Sequence, residues 1–111
     1  MKIPKKFKIL GQTIDVIFET QELIKHDLVG RAVYRKNQIQ LRPSTESDPL
    51  TDEQIAFTFY HEFIHYILYF AEAAYSGKSE YMHQDEGFVD LVAGLLHQAF
   101  GTMDYGEKHD S

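Results

Sequence analysis

The sequence has no cysteine and no tryptophan. Without cysteine, disulfide staples and thiolate metal sites are excluded, and a cytoplasmic protein is expected rather than a small secreted scaffold. Basic charge is also scarce: 11 Lys and Arg face 17 Asp and Glu, for a formal net charge of −6. A nucleic-acid partner, which would need a basic stripe, is not expected. The one basic cluster, Lys2, Lys5, Lys6 and Lys8, is interleaved with Ile3, Phe7 and Ile9 as on a half-exposed strand. No apolar run follows these lysines, so no signal peptide is expected. The most apolar stretch, Phe63 to Tyr75, carries His65 and Glu72 and is too short to cross a bilayer. Repeats and low-complexity tracts are missing as well.

What remains is a chain of 111 residues, 43% of them hydrophobic, which supports one domain with one modest core. Eight Phe and seven Tyr must supply much of the buried area. The first half reads as strands. Phe7 and Ile9 alternate with Lys6 and Lys8, and Ile14, Val16 and Phe18 alternate with Thr13, Asp15 and Ile17. Gly11-Gln12 between them suits a type II′ hairpin turn. Gln21 to Gly30 reads as a short helix or an irregular connection. A second hairpin is expected from Arg31–Tyr34, a polar turn near Lys36-Asn37, and Gln38–Leu41. Pro43 to Pro49 has the composition of a loop.

The second half changes period. Thr51 and Gln54 form a capping-box pattern, with Leu50 and Ile55 at the staple positions and Asp52 and Glu53 in the first turn. The spacing predicts a helix from Asp52 to about Tyr75, ended by Ser76-Gly77. A second helix is expected from about Gln84 to Phe100, stopped by Gly101, with Phe88, Leu91, Val92, Leu95 and Ala99 as its apolar stripe. Residues 1–101 then form one domain and 102–111 a polar, flexible tail. The expected class is α+β: a small, largely antiparallel sheet, made of two N-terminal hairpins, packed on two long helices.

The first long helix contains His61-Glu62-Phe63-Ile64-His65, an H-E-x-x-H motif. Four residues advance an α-helix by roughly 400° and about 6 Å, so the two imidazoles project from one face, one turn apart. Two ring nitrogens so spaced can share a tetrahedral Zn²⁺ at about 2.0–2.1 Å. Glu62, about 100° round from His61, can reach a water on the metal without entering the first shell. Zinc lowers the pKa of such a water to about 7, and Glu62 can take its proton as it attacks a carbonyl. The motif arises by chance in roughly two or three shuffles in a hundred, so its mid-helix setting matters.

A catalytic zinc needs a third protein ligand and one open position. Leu68 and Ala71 stand where a metzincin would have Gly and His, and Glu72 lies about 10 Å further along the helix, too far to join. Glu86 opens the second helix with Asp90 on the same face, which makes Glu86 the candidate ligand. Asp90 is then the acceptor for an imidazole N–H, fixing its tautomer. His83 is an alternative third ligand or a donor to an oxyanion. The tyrosines Tyr60, Tyr66, Tyr69, Tyr75 and Tyr81 include possible oxyanion donors, although Tyr66 and Tyr69 have the spacing of core residues. His97 sits about three turns from Glu86, and His26 and His109 read as surface residues.

An H-E-x-x-H followed some twenty residues later by Glu-x-x-x-Asp resembles the gluzincin pattern of thermolysin-like peptidases. The small size, the hairpins ahead of the first helix and the run from Glu86 to Leu96 are similar to the ImmA/IrrE-type metallopeptidases and the single-domain minigluzincins. The likeness spans about Val33 to Phe100. It implies a zincin-like fold, one Zn²⁺, and hydrolysis of a protein or peptide substrate, as an endopeptidase rather than an exopeptidase. For an ImmA/IrrE-like protein it further implies a repressor as substrate. The rival expectation is a zinc-stabilised, catalytically latent protein-binding module serving as a phage or mobile-element regulator.

Overall fold

The computed structural model describes residues 3–74, 85–104 and 106. Strands β1 (Lys6–Ile9) and β2 (Gln12–Phe18) are followed by a short helix α1 (Gln21–Lys25). Strands β3 (Gly30–Val33) and β4 (Gln38–Leu41) come next, then the long helices α2 (Asp52–Ala74) and α3 (Glu86–Thr102). The strand order is β1-β2-β4-β3. Each hairpin is antiparallel, but β2 and β4 pair in parallel, with Val16 opposite Ile39 and Phe18 opposite Leu41. The fold is therefore α+β, as expected, with a mixed sheet in which two hairpins meet through one parallel seam. Among the described residues this topology leaves β1 and β3 as the edges.

The first turn differs from the expected one. Ile9 pairs with Gln12, so Leu10 and Gly11 are the central residues, and both have positive φ, 50° and 78°. That is the type I′ pattern, whose twist matches the flanking strands. Gly11 therefore stands second in the turn rather than first. The second hairpin turns through Tyr34–Lys36, and Asn37 closes it in the left-handed region at φ 54°. Tyr34 thus leaves the strand, where alternation alone had kept it inside.

The start of α2 is the capping box read from the sequence. The Gln54 backbone N–H donates to Thr51 Oγ1 at 3.0 Å, and the Thr51 N–H donates to Gln54 Oε1 at 2.8 Å. Arg42, almost fully buried, anchors the loop before it by donating to the carbonyls of Pro43 and Asp48 and pairing with the Asp48 carboxylate.

One face of the sheet (Ile14, Val16, Ile39, Leu41) packs against α2, and together with Phe59, Tyr60, Ile64 and Tyr66 of α2 and Val89 and Ala93 of α3, which packs on α2, it forms one buried core. Two contacts set β3 against α2. A Cβ on Gly30 would lie 2.6 Å from Thr58 Cγ2 and 3.1 Å from the Gln40 carbonyl oxygen, so only glycine allows so close an approach. Tyr66, fully buried, shares its hydroxyl proton between the Val33 and Gln38 carbonyls, at 2.9 and 3.1 Å. Helix α2 is thereby tied to the mouth of the second hairpin, one residue after His65.

Helix α3 is rotated from the expected orientation. Val89 and Ala93 are buried and Val92 and Leu96 partly so, whereas Phe88, Leu91 and Leu95 are exposed. The sequence carries apolar residues on two adjoining sides of this helix, about 100° apart and sharing Val92, and periodicity alone selects the wrong one. Gly101 does not stop the helix either. α3 continues through Thr102, whose hydroxyl donates to the Gln98 carbonyl. The Ser76-Gly77 stop, the start at Gln84 and most of the tail lie outside the described residues. Among the described residues no helix is long and apolar enough to cross a membrane.

Candidate metal centre

Mid-way along α2, His61 and His65 turn toward the first two turns of α3. There Asp85 caps the helix by accepting the Phe88 backbone N–H at 3.0 Å. With the cap already supplied by Asp85, the Glu86 carboxylate is not needed for it and reaches back to the imidazoles. Glu86 Oε1 lies 3.0 Å from His61 Nε2 and 3.3 Å from His65 Nε2, and the two ring nitrogens are 3.2 Å apart. Asp90 Oδ1 lies 2.8 Å from His61 Nδ1. The proton of a neutral His61 belongs on Nδ1, facing the carboxylate, which turns the lone pair of Nε2 toward the cluster.

Three basic atoms at such distances repel one another unless a proton or a cation lies among them. The edges of the triangle, 3.0–3.3 Å, approach the separation of about 3.3–3.4 Å between donors held tetrahedrally at 2.0–2.1 Å. His61, His65 and Glu86 form a group that could hold a metal ion, and the residues present fit one.

Glu62 is buried, 7% exposed, beside this group. Burial pushes its carboxyl up to about 7, with Glu86 adding to the rise and His61 opposing it. A carboxyl so placed both releases and accepts a proton near neutrality.

These side chains line an open cleft of about 510 Å³ whose opposite wall is Leu28, the edge strand residues Gly30, Arg31 and Ala32, and Tyr34. Tyr34 stacks on Tyr69 at 4.2 Å and meets Tyr66 edge-on at 5.0 Å. Burial, with the carboxylates of Glu62 and Glu86, raises its phenol well above the ordinary range, so it stays protonated.

Of the residues singled out in the sequence, His61, Glu62, His65, Glu86 and Asp90 are brought together. Tyr66 is occupied by backbone carbonyls. Tyr60 packs beside His97 and Phe100, away from the cleft lining. His97 pairs with Glu53 at 3.2 Å in the first turn of α2, and the exposed His26 lies 3.5 Å from Glu22. His83, Tyr75, Tyr81 and His109 lie outside the described residues. The sequence offers Arg31–Arg35 or Gln38–Arg42 as the candidate edge for an extended peptide; among the described residues β3 is an edge strand and β4 is not, and Arg31 and Tyr34 line the cleft without having been singled out individually. Nothing local marks them, because their place depends on β3 being an edge laid against α2. No family model, curated protein or solved structure matches the chain.

Proposed function

We propose that this chain is a zinc-dependent peptidase of gluzincin type, in which His61, His65 and Glu86 hold one zinc ion and Glu62 is the general base. The observation that carries this reading is the convergence of two imidazole nitrogens and one carboxylate oxygen within 3.0–3.3 Å, beside a buried carboxyl. Imidazole and carboxylate donors without thiolate suit zinc, and three protein ligands leave a position open, as in catalytic rather than structural sites. Bound there, zinc supplies Lewis-acid polarisation of a carbonyl and makes water more acidic.

The chain's own groups do the rest. Asp90 holds the Nδ1 proton of His61 and fixes the ring. The Glu62 carboxylate removes a proton from the attacking water and returns it to the amide nitrogen that leaves. Tyr34 brings the only hydroxyl among the described cleft-lining side chains, a donor for charge developing on the carbonyl oxygen. The outer edge of β3, which pairs with no other strand among the described residues, offers main-chain hydrogen bonds to an extended peptide, and an internal segment laid along it makes the protein an endopeptidase. The likeness to ImmA/IrrE-type enzymes makes a cytoplasmic repressor the first substrate to try.

The reading is tested by elemental analysis of protein purified without a polyhistidine tag, followed by peptide-library digestion with wild type and Glu62→Gln. The expected result is one zinc per chain in both and hydrolysis only by wild type. Full activity in Glu62→Gln would falsify the assigned base.

One observation favours a second reading. The outward stripe of α3, with Leu91 and Leu95 each more than half exposed, suits a protein contact, as in a zinc-stabilised binding module without turnover. A zinc-loaded wild type that cleaves nothing in the library supports that alternative.

A further inference from the structure

Arg31 stands on the edge strand of the cleft, and its guanidinium is held from behind. Its Nε–H donates to Gln40 Oε1 at 2.7 Å, and the Gln40 amide nitrogen donates to Gln38 Oε1 at 2.9 Å. Gln40 is nearly fully buried, so this relay is a fixed base for the side chain. The Arg31 side chain makes no other hydrogen bond or ion pair among the described residues, and both terminal amino groups of the fork remain available. It is also the only Lys or Arg among the described residues that line the cleft.

Sheet geometry says what the fork can meet. Gly30 and Ala32 pair with Leu41 and Ile39, both fully buried, and so face α2. Arg31 pairs with Gln40 and therefore projects its side chain from the opposite face of the sheet, so that it borders the cleft at the outer edge of the strand rather than reaching toward α2. A peptide added to the free edge of β3 obeys the same alternation. The residue directly opposite Arg31 brings its Cβ within about 4.5–5.5 Å of the Arg31 Cβ, on the same face. Its neighbours on either side turn toward α2 and the cluster of His61, His65 and Glu86.

We propose that Arg31 is a specificity-determining residue, selecting a peptide with an Asp or Glu side chain at the position opposite it on the β3 edge. The inference rests on the peptidase reading given above and deepens it. A planar guanidinium anchored at Nε presents two parallel N–H groups that match a carboxylate. A lysine at the same peptide position would meet like charge directly across the strands, which is unfavourable. The overall charge of −6 acts against acidic peptides at long range, but salt screens it over about 10 Å, whereas the cross-strand contact is shorter than that. A free C-terminal carboxylate offers the same chemistry. The alternation favours the side chain, because a terminal carboxylate lies in the backbone line of the added strand.

The test uses zinc-loaded protein and neutral ten-residue peptides with both ends blocked, in which a single Glu is moved through every position against Gln at the same place. One further peptide has a free C-terminus. In wild type, Glu at one position is expected to raise kcat/KM about 3–10-fold over Gln. Arg31→Gln brings that ratio to about 1 and Arg31→Glu brings it below 1, while zinc content stays at the wild-type value. A flat profile from an active wild type, or a Glu preference that survives Arg31→Gln, overturns the assignment. So does a gain confined to the peptide with the free C-terminus. Binding of the same peptides to zinc-loaded Glu62→Gln separates this inference from the one beneath it. Arg31-dependent preference in binding with no cleavage by wild type sinks the peptidase reading and leaves recognition of acidic strands standing. No preference in binding or in turnover sinks the recognition itself.

Discussion

In the metal-free protein Glu62 carries a cost that depends on pH. Burial disfavours the charged form and pushes the Glu62 carboxyl up to about 7 in the folded chain, from an ordinary value of 4.5. Below about pH 4.5 the group is protonated in both folded and unfolded chains and contributes no difference. As pH rises from 4.5 toward 7 the unfolded chain loses the proton first, so folding is progressively disfavoured, and above 7 the penalty is complete. At about 1.36 kcal/mol per pH unit the penalty is about 3 kcal/mol, a large share of the stability of a domain this small. Glu62→Gln removes the titration and keeps the shape. Urea denaturation with a chelator present, at pH 5 and pH 7.5, is the assay. The expected outcome is that Glu62→Gln is more stable than wild type by about 1–3 kcal/mol at pH 7.5, with most of that gain gone at pH 5. On the proposed zinc reading, saturating zinc should add stabilisation to both, about 4 kcal/mol at a thousand times the dissociation constant. Equal pH dependence in the two metal-free proteins would refute the argument, since no other change separates them.

Three further outcomes follow from contacts around the site. Asp90→Ala should lower zinc affinity about 10–100-fold, read by competition with a chromophoric chelator, because His61 loses the acceptor at 2.8 Å that orients it. Gly30→Ala should destabilise by about 1–3 kcal/mol in urea, as its methyl would lie 2.6 Å from Thr58 Cγ2 and push β3 away from α2. Tyr66→Phe should cost about 1–2 kcal/mol in the same assay, since the Val33 and Gln38 carbonyls lose the buried donor they share.

The candidate site was legible where it is local. Two histidines one turn apart, and a capping box that puts them in mid-helix, are short-range statements that backbone geometry enforces. Glu86 and Asp90 were legible as an i, i+4 pair on a second helix, and their convergence on the imidazoles followed once the two helices packed. What was not legible depends on how elements meet. The parallel seam between β2 and β4 carries no mark in either strand, and it alone decides that β3 is an edge. Tyr34 and Arg31 owe their place in the cleft to that decision. The turn at Leu10-Gly11 was missed by one residue, which changes its type, because a lone glycine suits either position.

The orientation of α3 shows how the candidate site and the core constrain each other. On a helical wheel Val89 and Ala93 lie about 100° and 60° from Asp90, on the side toward Glu86, whereas Leu91 lies about 100° away on the other side. A rotation that buried Phe88, Leu91 and Leu95 instead would turn both carboxylates away from α2. It would forfeit the contact of 2.8 Å to His61 and the two contacts of 3.0 and 3.3 Å to the ring nitrogens. The helix fully buries only Val89 and Ala93, with Val92 and Leu96 partly covered, and leaves the larger Phe88, Leu91 and Leu95 exposed. Apolar burial alone favours the opposite choice, at about 25 cal/mol per Å². The rotation observed is the one in which the carboxylates of α3 and the imidazoles of α2 face each other, so the apolar pattern of α3 becomes intelligible only when Glu86 and Asp90 are counted among the residues that must point inward.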